Sequence, residues 1–567
     1  MSVISNNDDS DPDSIMFQTD NRHYVVYFAS GTVIHSDFSA VESDEGQLAL
    51  SDILKERITC TKSDKNCVGL KNEFVKNVRY LSLKTSEDFE NLSIILDSLN
   101  SNETKAWRKG RIFYLAIPPS AYTKTVENLH KCCYQGDEYS WSRVALEKPF
   151  GSDKESANNL VHGVAKYFRE EEIYLVDHYL AKSVVKQILP FRFSNKDKLE
   201  QLLRHQYVDR VEIVMKETIG VKGRIDFYDQ YGVVRDVMQN HLTELLALVT
   251  MELPRNISNH NSVENNRLHT LKHKSILTGQ YSKYLEHAKA EKDNVTSSYF
   301  TPTFGATLIL VDSYRWKNVP FILVSGKHLD ERSSYIRIVF KDREICLSGC
   351  NTKRNTTHFF GPKQIIFQIG HGNLPSAGIL VSKGLLIPKW PKGITELAIT
   401  AEDFNEYGQN LNDFTFGIPV KNIEAYSTVI DDMYNGEQKS FVGTKRLLKL
   451  WDIWSPIIKE TNAKLPRLYK EEKDPMLNFR IVNSGLEFIS NPVNIFSDSG
   501  SEKYQSRVAT SIPGMFLVSL SIDELFRESA NTFEKISLAA FEQRGVVNVA
   551  FSGGRTPSDF LIHVVRS

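Results

Sequence analysis

The sequence predicts an incomplete doubly wound α/β domain, followed by a large α+β domain built on an antiparallel sheet. The first observation is a set of short apolar runs, "HYVVYFA", "RIFYLAI" and "RVALE", separated by helical segments. Such runs are typical of strands buried on both faces of a parallel sheet. The second is a series of longer strands without intervening helices: "RVEIVMKE", "VPFILVSGK", "SYIRIVFKD", "KQIIFQIG" and "AGILVSKGL". That pattern indicates an antiparallel sheet.

Composition and charge exclude several classes of protein. The 567 residues include 69 basic and 70 acidic side chains, so the net charge of -1 gives no reason to expect nucleic-acid binding. No apolar stretch approaches the roughly 18–20 residues that a membrane span requires. The six cysteines form no CxxC pair and have no histidines at zinc spacing, so we expect no metal site.

Changes in pattern along the chain predict five segments. Residues 1–21 are polar and acidic and are expected to be disordered. The α/β domain covers 22–176 and the α+β domain 177–470, and a linker is expected over 471–513. The last segment, 514–567, contains a helix, a strand and the glycine turn "SGGRTP", which is the pattern of an α/β fragment.

A cluster of polar residues follows the predicted strand "IYLV" directly. Asp177 stands at the cap position of a predicted helix, and His178 and Lys182 are four residues apart, on one face of that helix. Leu180, Val184 and Ile188 form a separate apolar stripe. Taken alone, this is also the pattern of a capped amphipathic helix with two surface cations.

A second helix start repeats the combination of acid and histidine. In "RDVMQNHL", Asp236 is predicted to open a long helix, and His241 follows just over one turn later. A histidine beside an apolar stripe is often only a core residue. Here, however, two such helix starts accompany "EKPF", which follows a strand at the edge where doubly wound sheets bind ligands.

These segments together resemble the glucose-6-phosphate dehydrogenase family. The motifs are "EKPFG" at 147–151, "DHYLAK" at 177–182, "RDVMQNHL" at 235–242 and "GKHLDER" at 326–332. A further likeness, to the endoplasmic-reticulum branch with a fused 6-phosphogluconolactonase, rests on "FQIGHG", "LWDIWSPII" and "FSGGRTP". The resemblance implies a Rossmann-type coenzyme domain, then a substrate-binding and dimerisation domain, then the start of a lactonase domain over 514–567.

The resemblance also implies roles for individual residues. His241 would be the general base that accepts the sugar hydroxyl proton, with Asp177 orienting its ring. The other implied residues bind substrate or coenzyme: His178, Tyr179 and Lys182 at the phosphate; Glu217 and Asp236 at the sugar hydroxyls; Lys148 at both ligands; Lys327 and Arg332 at the sugar-phosphate and nucleotide sites; Tyr114 at the coenzyme; and Arg337 at a second, structural nucleotide site.

The sequence departs from the family pattern at both ends. The family's first strand, glycine-rich loop and helix are not found, and the only early glycines are Gly31 and Gly46, so we expect weak coenzyme binding by this chain. NADP is the expected coenzyme, with NAD left open because no arginine follows "YVVYFASGTVIHSD". The fused tail stops early, so we expect no lactonase activity.

Two hypotheses about function therefore remain open at this point. The first is a truncated glucose-6-phosphate dehydrogenase that acts on glucose 6-phosphate as a homodimer formed through the antiparallel-sheet domain. The second is a non-catalytic homologue that binds sugar phosphate or assembles with full-length subunits. The branch implies the endoplasmic-reticulum lumen, whereas the start "MSVISNNDDSD", taken literally, implies the cytoplasm.

Overall fold

The computed structural model describes residues 24–29, 32–37, 43–58, 67–100, 109–136, 140–267, 271–292, 295–341, 363–372, 374, 376–397, 414–470, 477, 479–482 and 485–488. The predicted disordered start, 1–21, and the predicted lactonase fragment, 514–567, lie outside these residues.

The strands of the described residues, in chain order, are β1 Tyr24–Ala29, β2 Thr32–Asp37, β3 Val78–Ser82, β4 Lys109–Ala116, β5 Ser140–Leu146, β6 Ile173–Val176, β7 Val208–Lys216, β8 Leu271–Tyr281, β9 Phe304–Val311, β10 Phe321–Gly326, β11 Ser333–Phe340, β12 Gln364–His371, β13 Gly378–Ser382, β14 Ile394–Leu397, β15 Phe414–Pro419, β16 Phe441–Val442, β17 Arg467–Tyr469, β18 Phe479–Val482 and β19 Gly485–Phe488.

The α-helices of the same residues are α1 Ser43–Arg57, α2 Cys67–Asn77, α3 Ser86–Asn100, α4 Pro119–Cys133, α5 Lys154–Ala165, α6 His178–Ala181, α7 Ser183–Lys186, α8 Ile188–Ser194, α9 Lys196–Leu202, α10 Ile225–Val233, α11 Thr243–Thr250, α12 His260–Asn266, α13 Tyr284–Glu291, α14 Ala425–Asn435 and α15 Thr444–Asn462. A π-helix, Val234–Leu242, connects α10 to α11. None of the described helices is long and apolar enough to cross a membrane.

Among the described residues, the first sheet has seven strands in the order β16-β6-β5-β4-β1-β2-β3. Strands β4, β5 and β6 are parallel, as predicted, so their carboxyl ends lie at one edge. Helix α5 crosses from β5 to β6 and begins at Asp153, whose side chain accepts a hydrogen bond from Ser156 N at 2.8 Å. Strand β1 corrects the expectation of a parallel sheet, because it runs antiparallel to both β2 and β4.

In the part of the chain that the structure describes, the second sheet has ten strands in the order β14-β15-β13-β12-β11-β7-β10-β9-β8-β17. It was predicted to be antiparallel and is in fact mixed, because β10 runs parallel to β7 and β17 runs parallel to β8. One hydrophobic core runs without a break from the helices of the first sheet to one face of the second, through α8 and α11. The two units are therefore packed against each other through apolar side chains.

The predictions of two long helices are wrong in detail. The segment after Asp177 is three short helices, α6, α7 and α8, which are separated at Lys182, with extended backbone angles (φ -63°, ψ 139°), and at Gln187 (φ -89°, ψ -8°). His178 and Lys182 are therefore not on one face of a continuous helix. In the second case, Asp236 does not open the helix, since it lies inside the π-helix after α10.

A hairpin occupies part of the segment that we predicted to be a linker, 471–513. Strands β18 and β19 pair antiparallel, and Leu486 N donates a hydrogen bond to Ser275 Oγ at 2.6 Å. Leu486 is also buried in the core on the second face of the ten-stranded sheet. Residues 479–482 and 485–488 consequently belong to the packed structure around β8.

Candidate active site

The carboxyl edge of the first sheet places two motifs side by side. Strands β5 and β6 are parallel, with Leu146 paired to Leu175. The residues that follow them, Lys148 and Asp177, therefore emerge at the same edge, where ligands of open α/β sheets bind. Asp177 caps α6, with its Oδ1 accepting a hydrogen bond from Tyr179 N at 3.0 Å.

Asp177 and His241 form a buried pair, although they are 64 residues apart in the sequence. His241 Nδ1 lies 2.6 Å from Asp177 Oδ1, and the two side chains are 1% and 2% exposed. Because the carboxylate accepts the Nδ1 proton, the other ring nitrogen, Nε2, carries the lone pair. Nε2 is buried and has no hydrogen-bond partner among the described residues.

The pKa values of this pair favour a neutral ring beside an ionised carboxylate. Burial lowers the pKa of His241 and outweighs the opposing charge of Asp177, so this pKa lies below its ordinary value. Burial raises the pKa of Asp177, but His241, His178 and Lys148 overcome it, and that pKa is also lowered. Near neutral pH the arrangement is thus a base that is ready to accept one proton.

Two carboxylates and two ammonium groups alternate beside this pair. Lys148 Nζ lies 3.1 Å from Asp236 Oδ1, and Lys327 Nζ lies 2.5 Å from Glu217 Oε2 and 3.6 Å from Asp236 Oδ2. Burial opposes ionisation of Asp236, but Lys148 and Lys327 hold its pKa below its ordinary range. Burial likewise opposes the charge on Lys327, whose pKa is nevertheless raised by Glu217 and Asp236. The four groups offer charged acceptors and donors for several hydroxyls.

Two residues of the α6 segment lie against His241, and a third lies against one of these two. The ring centres of His178 and Tyr179 are 4.8 Å and 4.7 Å from that of His241. Lys182 Nζ lies 4.6 Å from the centre of the Tyr179 ring. The extended residue Lys182 therefore still reaches the cluster, although the helical spacing that we expected is absent.

Comparison with known proteins decides the family. Residues 31–187 match "Glucose-6-phosphate dehydrogenase, NAD binding domain", and residues 189–482 match "Glucose-6-phosphate dehydrogenase, C-terminal domain". The chain belongs to the glucose-6-phosphate dehydrogenase family. A solved glucose-6-phosphate dehydrogenase in complex with its substrate glucose-6-phosphate has a TM-score of 0.60 and 26% identity, over 75% of this chain and 85% of that one.

Curated relatives fall into two groups. The "GDH/6PGL endoplasmic bifunctional protein" of Oryctolagus cuniculus and that of Homo sapiens are each 37% identical over 90% of this chain. The match covers 66% of each of these relatives, so the chain spans just under two thirds of their length. "Glucose-6-phosphate 1-dehydrogenase 6, cytoplasmic" of Arabidopsis thaliana is 32% identical over 68% of this chain and 72% of its own length.

The remaining residues that the family resemblance implied lie at different distances from the cluster of His241, Asp177, Lys148, Asp236, Lys327 and Glu217. Arg332 directly precedes β11, whose first residue pairs with Lys216, so it lies at the same strand end as Glu217. Arg337 is five residues further along the chain, on the order of 16 Å away. There its guanidinium binds Gln364 Oε1 at 2.5 Å and lies 3.4 Å from Glu212. It is therefore not part of the cluster.

Tyr114, expected at the coenzyme, lies buried on β4, and its hydroxyl donates a hydrogen bond to Glu147. Sequence reasoning used the "EKPFG" motif only for Lys148 and missed Glu147. Burial raises the pKa of Glu147 to about 7, even though Tyr114 and Lys148 act in the opposite direction. The signal was present, since burial at the end of an apolar strand raises the pKa of a carboxyl group unless charged partners outweigh it.

Tyr426 was also missed. Its ring stacks on His178 with centres 5.8 Å apart and planes 17° apart. It comes from α14, far along the chain, so no local spacing connects it with the "DHYLAK" motif. Only the fold brings the two rings together.

Proposed function

We propose that this chain is a glucose-6-phosphate dehydrogenase, which oxidises C1 of glucose 6-phosphate to 6-phosphogluconolactone with NADP as the hydride acceptor. The observation that carries the proposal is the buried Asp177–His241 pair, with Nε2 of a neutral imidazole left open beside paired carboxylates and lysines. This is the arrangement that removal of a hydroxyl proton near neutral pH requires.

The chain's own residues supply the proton transfer. His241 Nε2 accepts the proton of the C1 hydroxyl while the C1–H bond breaks and its electron pair leaves as hydride. The C1–O bond gains double-bond character, which yields the lactone. Asp177 stabilises the imidazolium that forms, because its carboxylate lies 2.6 Å from Nδ1. When bound, the nicotinamide coenzyme supplies the acceptor for the hydride.

The coenzyme fits the carboxyl edge of β4, β5 and β6, where dinucleotides bind in doubly wound sheets. Lys148 lies at this edge with its side chain 25% exposed, so it could contact a ligand from there. We propose NADP rather than NAD as the coenzyme, from the family resemblance. Titrating both coenzymes separately tests that choice.

The residues proposed to bind the substrate form two groups near His241. His178, Tyr179 and Lys182 are proposed to hold the phosphate, and Glu217 and Asp236 to accept the sugar hydroxyls. The lysine partners support the second role, because Lys327 holds the Glu217 carboxylate in place and the pKa of Asp236 is lowered by Lys148 and Lys327 against the opposing effect of burial. Lys327 and Arg332 lie at the same end of the second sheet and are proposed to complete the sugar-phosphate site.

The test is whether the purified chain reduces NADP in the presence of glucose 6-phosphate, measured by the absorbance of the reduced coenzyme. Glucose is the matched control, since it offers the same C1 hydroxyl without the phosphate. The ligand-induced melting shift is measured in parallel, because a bound ligand stabilises by RT ln(1 + [L]/Kd). A clear shift with glucose 6-phosphate and no reduction of either coenzyme would favour the non-catalytic homologue instead.

A homodimer is proposed from the family resemblance, through the ten-stranded sheet. Size-exclusion chromatography with light scattering measures the mass of the assembly. A single-chain mass at micromolar concentration would contradict the proposal.

We further propose the endoplasmic-reticulum lumen as the compartment. The names of the two bifunctional relatives support it, as does Cys67, which is disulfide-bonded, because disulfides persist in oxidising compartments. Asn91 and Asn256 are exposed asparagines in N-x-S/T sequons. A mass decrease of the native protein after endoglycosidase treatment is therefore expected, and an unmodified chain would favour the cytoplasm.

A further inference from the structure

The helix that carries His241 is wound more widely than an α-helix. Asp236 and His241 are five residues apart within the π-helix Val234–Leu242. At about 3.6 residues per turn such a pair would lie about 140° apart around the axis, whereas at about 4.4 residues per turn the angle is about 50°. The wide winding thus turns both side chains toward Lys148, which bonds Asp236 and acts electrostatically on His241.

Two side chains bond to carbonyls five residues before them, on either side of His241. Asn240 Nδ2 donates to Arg235 O at 3.1 Å, and its Oδ1 accepts from His241 N at 2.7 Å. Thr243 Oγ1 donates to Met238 O at 2.6 Å. Both bonds span the distance of one π-helical turn, so both favour the wide winding over an α-helical one.

A residue of another helix occupies the acceptor side of the Thr243 hydroxyl. Trp454 Nε1, on α15, lies 3.0 Å from Thr243 Oγ1, and both side chains are fully buried. An indole N–H can only donate and a carbonyl oxygen can only accept, so the hydroxyl accepts from Trp454 and donates to Met238 O, and both of its roles are filled. Trp454, which is 211 residues away in the sequence, thereby holds the turn that carries His241.

We propose that Thr243 is a positioning residue, whose hydroxyl, held by Trp454, fixes the wide turn that aligns His241 with Asp177 and Asp236. It touches neither substrate nor coenzyme, and it acts through Met238 O on the backbone that carries His241. The inference rests on the proposed function, in which His241 is the base. Its structural part, that the hydroxyl sets the place of the imidazole, can be measured without turnover.

The central variant is Thr243→Val, which keeps the shape of the side chain and removes the hydroxyl. Thr243→Ser restores the hydroxyl and serves as the conservative rescue. Thr250→Val is the matched control, because Thr250 is equally buried on the same α11 and its Oγ1 bonds Leu246 O at 2.8 Å, four residues back, as in an ordinary α-helix. Melting temperatures of all three variants show whether each one folds.

We expect Thr243→Val to lower kcat about ten- to hundredfold while the KM for glucose 6-phosphate changes by less than about threefold, since displacing a catalytic group costs rate more than binding. Thr243→Ser and Thr250→Val should stay within about twofold of the native kcat. NMR of histidine-labelled protein follows the Nδ1–H signal of His241, assigned with a His241→Gln variant. That signal should weaken or shift in Thr243→Val alone.

Each outcome decides the proposal. Equal losses of stability in Thr243→Val and Thr250→Val, with kcat and the Nδ1–H signal unchanged in both, would overturn it and leave Thr243 a structural residue. A changed Nδ1–H signal in a protein without dehydrogenase activity would support the positioning role while contradicting the proposed function. A loss of kcat that Thr243→Ser fails to restore would also contradict the role of the hydroxyl.

Discussion

Replacing Asp177 with asparagine tests how the carboxylate acts on the base. In the native site one oxygen, Oδ1, accepts both from Tyr179 N and from His241 Nδ1. The other oxygen, Oδ2, is buried and has no hydrogen-bond partner among the described residues. An asparagine can therefore keep its oxygen in the place of Oδ1 and put its NH₂ in the place of Oδ2. The imidazole then keeps the tautomer in which Nε2 is the base, and only the negative charge is lost.

The expected loss follows from the strength of the one bond that changes. A hydrogen bond to a charged group contributes about 1.5–3 kcal/mol, against about 0.5–1.5 kcal/mol for a neutral one. A difference of about 1–2 kcal/mol in stabilising the imidazolium corresponds to a roughly 5- to 30-fold lower kcat. If the amide instead turned its NH₂ toward Nδ1, the tautomer would invert and the loss would be about 10⁴-fold.

The assay is steady-state reduction of NADP as a function of pH. The charge of Asp177 raises the pKa of His241, so its removal should lower that pKa and move the acid limb of kcat/KM to lower pH. Asp177→Ala, which also removes the cap of α6, should lose more activity and more stability than Asp177→Asn. A loss near 10⁴-fold, or an acid limb that moves to higher pH, would refute this account of the site.

Three further predictions use the same protein. His241→Asn should lower kcat by on the order of 10²–10⁴ with little change in KM, and a near-native kcat would remove His241 from the mechanism. Lys182→Ala should raise the KM for glucose 6-phosphate about ten- to hundredfold, from a charge-assisted contact of roughly 1.5–3 kcal/mol, while activity on glucose is unchanged; equal losses for both sugars would mean a structural role. Glu147, with its pKa raised from 4.5 to about 7, keeps a proton that the unfolded chain releases, so its contribution to stability is full below pH 4.5 and declines by roughly 3 kcal/mol as pH rises to about 7. The melting temperature of Glu147→Gln relative to the native protein should accordingly rise across that interval, and a constant difference would contradict the raised pKa.

Much of the fold was predictable because strand patterns are local. The five long runs assigned to the second domain fall on β7, β10, β11, β12 and β13. The proximity of Lys148 and Asp177 was also predictable, since each follows a strand and parallel strands align their carboxyl ends. Among the strands of the second sheet that were missed is β8, whose sequence LKHKSILTGQY is mostly polar and only partly buried, so it lacks the apolar pattern of the predicted strands.

The errors in the helices have a single physical source. Predicting a helix from periodicity assumes 3.6 residues per turn, and neither segment of the site obeys it. Lys182 leaves helical geometry for one residue, which shifts the face of every position after it. No residue type in "DHYLAKS" marks that break, because alanine and lysine both favour helices.

The spacing of Asp236 and His241 makes the same point more sharply. Five residues is the wrong interval for one face of an α-helix, so helical periodicity argues against a shared site. In a π-helix, by contrast, this interval brings the two side chains close to one face. The π-helix is held partly from outside the segment, by the hydrogen bond between Trp454 and Thr243. The motif "RDVMQNHL" therefore specifies the chemical groups of the site, while α15, two hundred residues away in the chain, helps to decide whether they face one another. A sequence pattern can show which chemical groups are present, but it cannot show whether they face one another.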